Sequence, residues 1–122
     1  MDSYNLFLGT DIVEVKRINE LLKKSGRRFK EKVFTSTEQD YCDSKASPYI
    51  HYAGRFAAKE SIIKAVKSSG YKDPIPFKDI EILPSCSGAP VVNFHFKLKY
   101  KCKVSISHTE FHATATALCF KK

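Results

Sequence analysis

The stretch Arg55-Phe56-Ala57-Ala58-Lys59-Glu60-Ser61 decides the fold, because it lies in the middle of the longest segment with a helical pattern. Ser47-Pro48 predicts the start of that helix, since a proline in the first turn gives up an N–H that has no helical partner. The pattern continues to Ser68 or Ser69, and Gly70 predicts its end. We therefore expect one long helix at the centre of the domain.

Before this helix, the chain predicts one strand and two shorter helices. Residues 4–10 are largely apolar and predict a short buried strand that ends at Gly9. Asp11 is expected to open a helix that Gly26 ends, and residues 27–32 then form a basic connector. Thr35-Ser36-Thr37-Glu38 supplies capping residues for a short helix that runs to about Ser44.

After Gly70 the chain changes character and predicts strands. Four prolines exclude long helices there, and apolar and polar residues alternate in several short runs. The last two runs predict a hairpin with its turn at residues 109–111. We expect an α+β domain in which an antiparallel sheet packs against the long central helix. The predicted strands lie around residues 80–82, 92–96, 103–108 and 113–120.

Size and composition indicate a single domain over residues 1–122. Of the 122 residues, 43% are hydrophobic, and no run approaches the roughly 20 apolar residues that a membrane span needs. Residues 1–4 show no basic start and no apolar signal core, so we expect a cytoplasmic protein. The four cysteines form no Cys-x-x-Cys pair, which disfavours zinc, and we expect reduced thiols.

The net charge favours negatively charged partners but does not indicate which kind. Lys and Arg total 21 against 13 for Asp and Glu, which gives a formal charge of +8. Such an excess attracts nucleic acid, phosphate-rich cofactors or acidic proteins, or merely keeps the surface soluble. Phe94, Phe96 and Tyr100 lie among lysines and keep a nucleic-acid-binding module open as an alternative.

Two acids far apart in the chain are candidates for a metal site. Asp11 follows the first strand, where a carboxylate either caps a helix or lines an active site. On a helical wheel, Glu60 shares a mainly apolar face with Ala53, Phe56, Ala57 and Ile63, where burial is costly without a partner. A Glu60–Lys64 pair would satisfy it, and so would a magnesium ion shared with Asp11.

A third group of candidates lies on a predicted strand. Ser105, Ser107 and Thr109 should face one way, whereas Val104, Ile106 and His108 face the other. Hydroxyls beside a histidine at the end of a strand suit phosphate oxygens. The same pattern also fits a half-exposed strand with a surface histidine. We expect His51, His95 and His112 to be ordinary surface or packing residues.

These segments in this order resemble the holo-acyl-carrier-protein synthases, the small class of 4′-phosphopantetheinyl transferases. The residues that carry the resemblance are Gly9-Thr10-Asp11-Ile12-Val13-Glu14, Phe34-Thr35-Ser36-Thr37-Glu38, Arg55-Phe56-Ala57-Ala58-Lys59-Glu60-Ser61 and Val104-Ser105-Ile106-Ser107-His108-Thr109. The resemblance implies a single-lobed enzyme that transfers 4′-phosphopantetheine from coenzyme A to a serine of apo acyl carrier protein. The by-product is 3′,5′-ADP, and the reaction supports fatty acid biosynthesis.

The resemblance also implies roles for individual residues. Asp11 and Glu60 would bind Mg²⁺, and together with Lys64 and His108 they would form the catalytic set. Coenzyme A would be bound by Arg55, Lys64, Ser107, His108 and Thr109. Arg17 would bind the carrier protein, and the active sites would lie between the subunits of a homotrimer. The general base stays open.

Two departures from the family pattern bear on this interpretation. Val13 stands where the larger, two-lobed class has the Glu of its Asp-x-Glu motif, which favours the small class. Ala89, in Ser87-Gly88-Ala89-Pro90, stands where the family usually has a lysine, so one phosphate contact is in doubt. An inactive relative kept as an interaction subunit is a third alternative, for which Ala89 is the only support.

Overall fold

The computed structural model describes residues 5–122 and contains three α-helices and five strands. The elements in chain order are β1 (Leu6–Glu14), α1 (Val15–Val33), α2 (Ser36–Asp43), α3 (Pro48–Ser68), a 3₁₀ turn (Phe77–Asp79), β2 (Ile80–Pro84), β3 (Pro90–Phe94), β4 (Tyr100–His108) and β5 (His112–Lys121). The predicted α+β class is confirmed. So is the predicted central helix, which ends before Gly70, a glycine with a φ of 98°.

The first strand is longer than predicted. β1 pairs antiparallel with β5 along its whole length, from Leu6 opposite Phe120 to Glu14 opposite His112. This pairing extends the strand past Gly9, so Asp11 lies inside the strand and caps no helix. The expectation that Asp11 opens α1 was wrong, because β5, where Ala115 lies opposite Asp11, supplies the backbone partners. Tyr4, part of the predicted strand, lies outside the described residues.

The first helix also continues beyond its predicted end. α1 runs to Val33 and includes the segment 27–32 that was expected to be a connector. The backbone leaves helical geometry only at Ser25 (φ −136°, ψ 37°), next to the glycine that predicted the end. A local break therefore kinks the helix, and packing on the core lets it resume.

The segment around Thr35 forms the predicted capping box at the start of α2. The Thr35 hydroxyl accepts a hydrogen bond from the Glu38 backbone N–H, and the Glu38 carboxylate accepts one from the Thr35 N–H. Glu38 is fully buried and also accepts from Lys59 Nζ at 2.6 Å and from the Ile82 N–H at 2.8 Å. One carboxylate thus joins α2, α3 and β2.

Lys59, in the middle of α3, is also fully buried. Its ammonium donates to Glu38 and to the backbone carbonyls of Val33 and Phe77. Burial lowers the pKa of Lys59, and the Glu38 carboxylate opposes that change. All three donors of the ammonium are used, which is the condition under which a charge can be held inside a core.

The strands form two separate antiparallel sheets. One has the order β1-β5-β4, and the other is the pair β2-β3. The inner face of the three-stranded sheet packs against α3. On β5 that face carries only small residues, and the three alanines Ala113, Ala115 and Ala117 are at most 1% exposed. Small side chains let the helix approach the sheet closely.

At Gly9 the main chain of β1 lies against the main chain of α3. A Cβ added there would lie 2.6 Å from the backbone nitrogen of Ala65 and closer still to the carbonyl oxygen of Ser61. Only glycine fits this position, because the atoms in contact are main chain and cannot rotate away. β1 therefore rests directly on the backbone of α3, two residues before Asp11.

The outer face of the three-stranded sheet carries exposed apolar side chains. They alternate along β1 and continue onto β5, and the members are Leu6 (50% exposed), Leu8 (68%), Ile12 (66%) and Leu118 (37%). We call this set the outer apolar face. Thr10 lies between Leu8 and Ile12 on this face. Exposed apolar side chains gathered on one side of a sheet indicate an interaction surface.

The cysteines differ from the prediction. Cys102 and Cys119 are opposite each other on β4 and β5, with Cα atoms 4.1 Å apart, and they form a disulfide. The expectation of four reduced thiols was wrong for this pair, because the strand register brings the two sulfurs together. Cys42 and Cys86 are free thiols, one buried and the other exposed.

All three aromatic residues behind the nucleic-acid alternative are used in packing. The Phe94 and Phe96 rings meet edge to face at 5.8 Å and pack against the core, and Tyr100 is 6% exposed.

Within residues 5–122, no helix has the length and hydrophobicity that a membrane crossing requires.

Candidate functional site

Lys64 and Asp11 meet where β1 crosses α3. The Lys64 ammonium donates to Asp11 Oδ1 at 3.0 Å and to the backbone oxygen of Thr10 at 3.1 Å. The Asp11 side chain is 17% exposed and that of Lys64 is 54% exposed, so the pair lies at the surface. The structure therefore brings together two of the predicted site residues from separate elements.

Glu60 lies beside this pair. Partial burial raises the pKa of Glu60, and the Asp11 carboxylate raises it further, whereas Lys64 and Arg17 lower it. Three other predicted residues are thus close enough to Glu60 to affect its charge, and they are Asp11, Lys64 and Arg17, the last from α1. We call Asp11, Glu60 and Lys64 the carboxylate site. Since like charges repel at close range, the two carboxylates favour a cation between them.

The predicted alternative for Glu60, a salt bridge with Lys64 one turn further along α3, is not formed. Among residues 5–122, no Lys, Arg or His side chain lies within ion-pair distance of the Glu60 carboxylate. Lys64 bonds to Asp11 instead. Glu60 therefore keeps both carboxylate oxygens available for another ligand.

The ligand chemistry of the carboxylate site suits magnesium. Within the described part of the chain, no group of three or more His, Cys, Asp and Glu side chains is arranged around a metal position. Two carboxylates are nevertheless the number that Mg²⁺ commonly takes from a protein, because substrate phosphates and water complete its coordination. Hard oxygen ligands suit Mg²⁺ better than the softer metals that prefer Cys and His.

The other predicted phosphate-binding residues lie nearer the start of α3. Arg55 is 7% exposed, and its guanidinium lies 4.3 Å from the centre of the Tyr41 ring. Its Nε is buried without a hydrogen-bond partner. His108, at the end of β4, has its ring 6.4 Å from that of His51 on α3. The structure thus brings Arg55 and His108 to the same end of the helix.

Ser107 is separated from the carboxylate site within one chain. The register places Asp11, Ala115 and Ile106 side by side on the inner face of the sheet, so Ser107 faces outward with the outer apolar face. The predicted alternation along β4 is confirmed. Its consequence is that Ser107 cannot line the same surface as His108 in a single subunit.

Thr109 has a structural function in the turn between β4 and β5. Its hydroxyl oxygen accepts hydrogen bonds from the N–H groups of Phe111 and His112. Its own N–H donates to the His112 carbonyl at 2.8 Å. Thr109 thus fixes the turn that follows His108, and a direct contact with a cofactor stays a prediction.

Ala89 lies in the exposed turn that joins β2 and β3. Its carbonyl accepts from the Ser85 N–H at 2.8 Å, and the preceding Gly88 has a φ of 90°. The turn needs no lysine for its own geometry. The effect of losing a cation at this position stays a prediction.

Sequence reasoning missed two members of the site region. His51 was expected to be an ordinary residue, and Tyr41 was considered only as part of a short helix. Both rings contact Arg55 or His108 in the structure. One signal was available, because His51 precedes Arg55 by four residues and so shares its helix face.

The chain is similar to known proteins over nearly its whole length. Residues 7–119 match the ACPS family of the 4′-phosphopantetheinyl transferase superfamily. The holo-[acyl-carrier-protein] synthase of Protochlamydia amoebophila is 42% identical over 118 residues, which cover 93% of this chain and 96% of that protein. The enzyme of the same name from Chlorobaculum parvum is 42% identical over 112 residues, covering 91% and 95%.

Solved structures show the same fold. The ACPS–CoA complex from Chronobacterium ammoniagenes has a TM-score of 0.83 at 28% identity, covering 96% of this chain and 98% of that one. The holo-(acyl-carrier-protein) synthase of Bacillus anthracis, in complex with CoA (3′,5′-ADP), has a TM-score of 0.81 at 29% identity, covering 95% and 96%. With its single lobe and its carboxylate site, this chain belongs to the holo-acyl-carrier-protein synthase family of the 4′-phosphopantetheinyl transferase superfamily.

Proposed function

We propose that this protein transfers 4′-phosphopantetheine from coenzyme A to a serine of apo acyl carrier protein. The reaction releases 3′,5′-ADP and would support fatty acid biosynthesis in the cytoplasm. The observation that carries the proposal is the convergence of Asp11, Glu60 and Lys64 from β1 and α3 in a chain of this family. Relatives named for this activity, and structures of relatives bound to CoA, support the choice of donor.

Asp11 and Glu60 would hold the magnesium ion. When bound there, the ion would supply positive charge that stabilises the negative charge developing on the leaving group of the donor. Lys64 supports this arrangement in two ways. It fixes the Asp11 carboxylate by its hydrogen bond, and its exposed ammonium can pair with a phosphate oxygen.

The protein's own part in the reaction is to position the reactants. The serine oxygen of the carrier forms a bond to the phosphorus that bears pantetheine, and the bond from that phosphorus to the bridging oxygen breaks. The serine proton leaves to a base, and 3′,5′-ADP departs with the bridging oxygen. Lys64, Arg55 and His108 would bind the donor phosphates and hold them in line for this displacement.

The basic surface of α1 would receive the carrier protein. Arg17 is exposed on α1 and near enough to act on Glu60, so a carrier bound there would present its serine close to the carboxylate site. The net charge of +8 would attract an acidic carrier. Because this attraction is between exposed charges, the association rate should fall as salt is added.

We propose a homotrimer with active sites between subunits. The outer apolar face provides a surface that a neighbouring copy can cover, with Leu8 and Ile12 each about two-thirds exposed. Ser107 lies on the same side of the sheet. A subunit contact there would let Ser107 complete a site that includes residues from the neighbour.

The test combines purified protein, coenzyme A, Mg²⁺ and an apo acyl carrier protein from the same organism. We expect the carrier to gain the mass of phosphopantetheine, at a rate that depends on Mg²⁺ and on a serine of the carrier. Ala in place of that serine is the matched control. No mass gain on the carrier, with folded protein and all three components present, would overturn the proposal.

A further inference from the structure

A groove between the two sheets has no part in the proposed reaction. β3 and β4 lie side by side but belong to separate sheets, so no strand ladder closes the gap between them. The groove along this gap has a volume of about 400 Å³. Small-molecule sites occupy about 300–1,000 Å³, so the space is large enough for a ligand.

The floor of the groove is apolar. Phe94, Phe96 and Leu98 follow one another at every second residue, and each is half-buried against the core. The Phe94 and Phe96 rings meet edge to face, with 5.8 Å between their centres. Tyr100 continues the floor and is 6% exposed, and its hydroxyl is hydrogen-bonded to Ser69. This floor can bury a hydrocarbon chain.

The rim of the groove is basic. Lys97 and Lys101 are exposed there, and so is Lys122, whose backbone N–H donates to the Lys99 carbonyl at 2.9 Å. In the described part of the chain, no acidic side chain lines the groove, and none of the three rim ammonium groups forms an ion pair. The rim therefore carries unbalanced positive charge, which attracts an anion.

The arrangement of the rings indicates which class of anion fits. Single-stranded nucleic acid binds by stacking its bases on accessible aromatic faces. Phe94 and Phe96 instead pack against each other and against the core, and Tyr100 is buried. The groove thus offers an apolar floor below a basic rim, which matches a flexible hydrocarbon chain that ends in an anionic group.

We propose that this groove binds a fatty carboxylate. The hydrocarbon chain lies on the floor formed by the two phenylalanines and Leu98. The carboxylate accepts hydrogen bonds from the rim lysines, Lys97, Lys101 and Lys122, and a hydrogen bond between two charged groups is stronger than one between neutral groups.

The groove is separate from the carboxylate site. Cys102 lines the groove and is opposite Cys119 on β5, which in turn is opposite Phe7 on β1. Phe7 precedes Asp11 by four residues, which is about 14 Å along a strand. A ligand in the groove therefore leaves the carboxylate site open, and the inference does not depend on the proposed function.

The test measures the binding of dodecanoate, below its micelle concentration, by titration calorimetry. Dodecyltrimethylammonium has the same chain with the opposite charge, and acetate has the carboxylate without the chain. We expect one dodecanoate per chain, bound at least about tenfold more tightly than dodecyltrimethylammonium, the usual effect of a hydrogen bond to a charged group. Acetate should give no measurable heat of binding at the same concentrations.

Two double variants separate local contact from general attraction. Lys97→Gln with Lys101→Gln removes two rim cations, and we expect dodecanoate to bind at least about tenfold more weakly. Lys99→Gln with Lys103→Gln is the matched control, because both lysines are exposed in the same part of the chain and neither lines the groove. It should bind dodecanoate as wild type does, and thermal unfolding checks both folds.

Amide NMR shifts locate the ligand. Dodecanoate should move the resonances of Leu98 and Lys101 and leave those of Leu8 and Ile12, on the outer apolar face, unchanged. Shifts confined to Leu8 and Ile12, or equal loss of affinity in the two double variants, would overturn the inference. Displacement of dodecanoate by a single-stranded oligothymidylate that binds more tightly would overturn it in favour of a nucleic-acid site.

Discussion

The Lys64 ammonium lies 3.0 Å from Oδ1 of Asp11, although 53 residues separate the two in sequence. This ion pair joins the first strand to the central helix at the carboxylate site. It is half-exposed on the lysine side, so it contributes little to stability. Its value is positional, because it leaves Glu60 without a paired cation and orients Asp11 beside it.

Lys64→Gln should therefore impair catalysis and spare the fold. We expect kcat to fall about 10²–10³-fold, the usual effect of removing one preorganised donor that stabilises developing charge. Carrier mass gain over time measures this, and thermal unfolding checks the fold. Lys67→Gln, on the exposed last turn of α3, is the matched control and should keep wild-type activity. Equal rates for wild type and Lys64→Gln would remove Lys64 from the site.

Glu60→Gln should stabilise the metal-free protein and at the same time impair transfer. The raised pKa of Glu60 means that its ionised form is less favourable in the folded protein than in the unfolded chain, so ionised Glu60 destabilises the metal-free fold. We expect Glu60→Gln to raise the Tm without metal and to lose at least about 100-fold in transfer rate. Mg²⁺ should raise the Tm of wild type but not of Glu60→Gln.

The sign of the pH dependence follows from the same shift. Because the folded-state pKa is above the unfolded one, stability contributed by Glu60 rises as pH falls through the folded pKa and is lost as pH rises. Urea unfolding of wild type and Glu60→Gln across this range should show a difference that shrinks toward acid pH. A difference that stays constant with pH would contradict the assignment to Glu60.

The contact between Gly9 and the backbone of α3 predicts a sharp steric effect. Gly9→Ala should lower the free energy of unfolding by about 1–3 kcal/mol or more, since the new Cβ meets the main chain at Ser61 and Ala65. Gly26→Ala is the matched control. Nothing lies within 4 Å of its added Cβ, and helix propensity favours alanine by about 1 kcal/mol. Urea unfolding of both variants checks the pair.

The buried ion pair predicts a large stability effect without a catalytic one. Lys59→Met leaves the Glu38 carboxylate charged in the core, and we expect a loss of about 3–5 kcal/mol. Adding Glu38→Gln should recover part of that loss, since the second change removes the stranded charge. Denaturant unfolding measures both, and transfer activity per folded molecule should stay near wild type. An additive double variant would contradict direct coupling.

Local signals predicted most of the elements. The capping box at Thr35 and the proline at the start of α3 place helix starts, because both act within one turn. Local signals could not predict where β1 ends and α1 begins, because pairing with β5 determines the length of β1. Cys102 and Cys119 likewise meet through a register that no local pattern reveals.

The sequence allowed the residues of the site to be predicted, but not which of their side chains contact each other. Asp11, Glu60 and Lys64 were identified, but the only protein partner considered for Lys64 was Glu60, whereas the structure pairs Lys64 with Asp11. Helical spacing is visible in a sequence, and the crossing of a strand over a helix is not. His51 was overlooked for the same reason, since its significance depends on His108 from β4. Lys59 and Glu38 form their buried pair only when α2 packs on α3.

The main-chain contact at Gly9 also bears on how far this enzyme can diverge. The distance between β1 and α3 at that point is set by backbone against backbone, so exchanges among the surrounding core side chains leave it unaltered. Drift in the sequence can then proceed without moving Asp11 relative to Glu60.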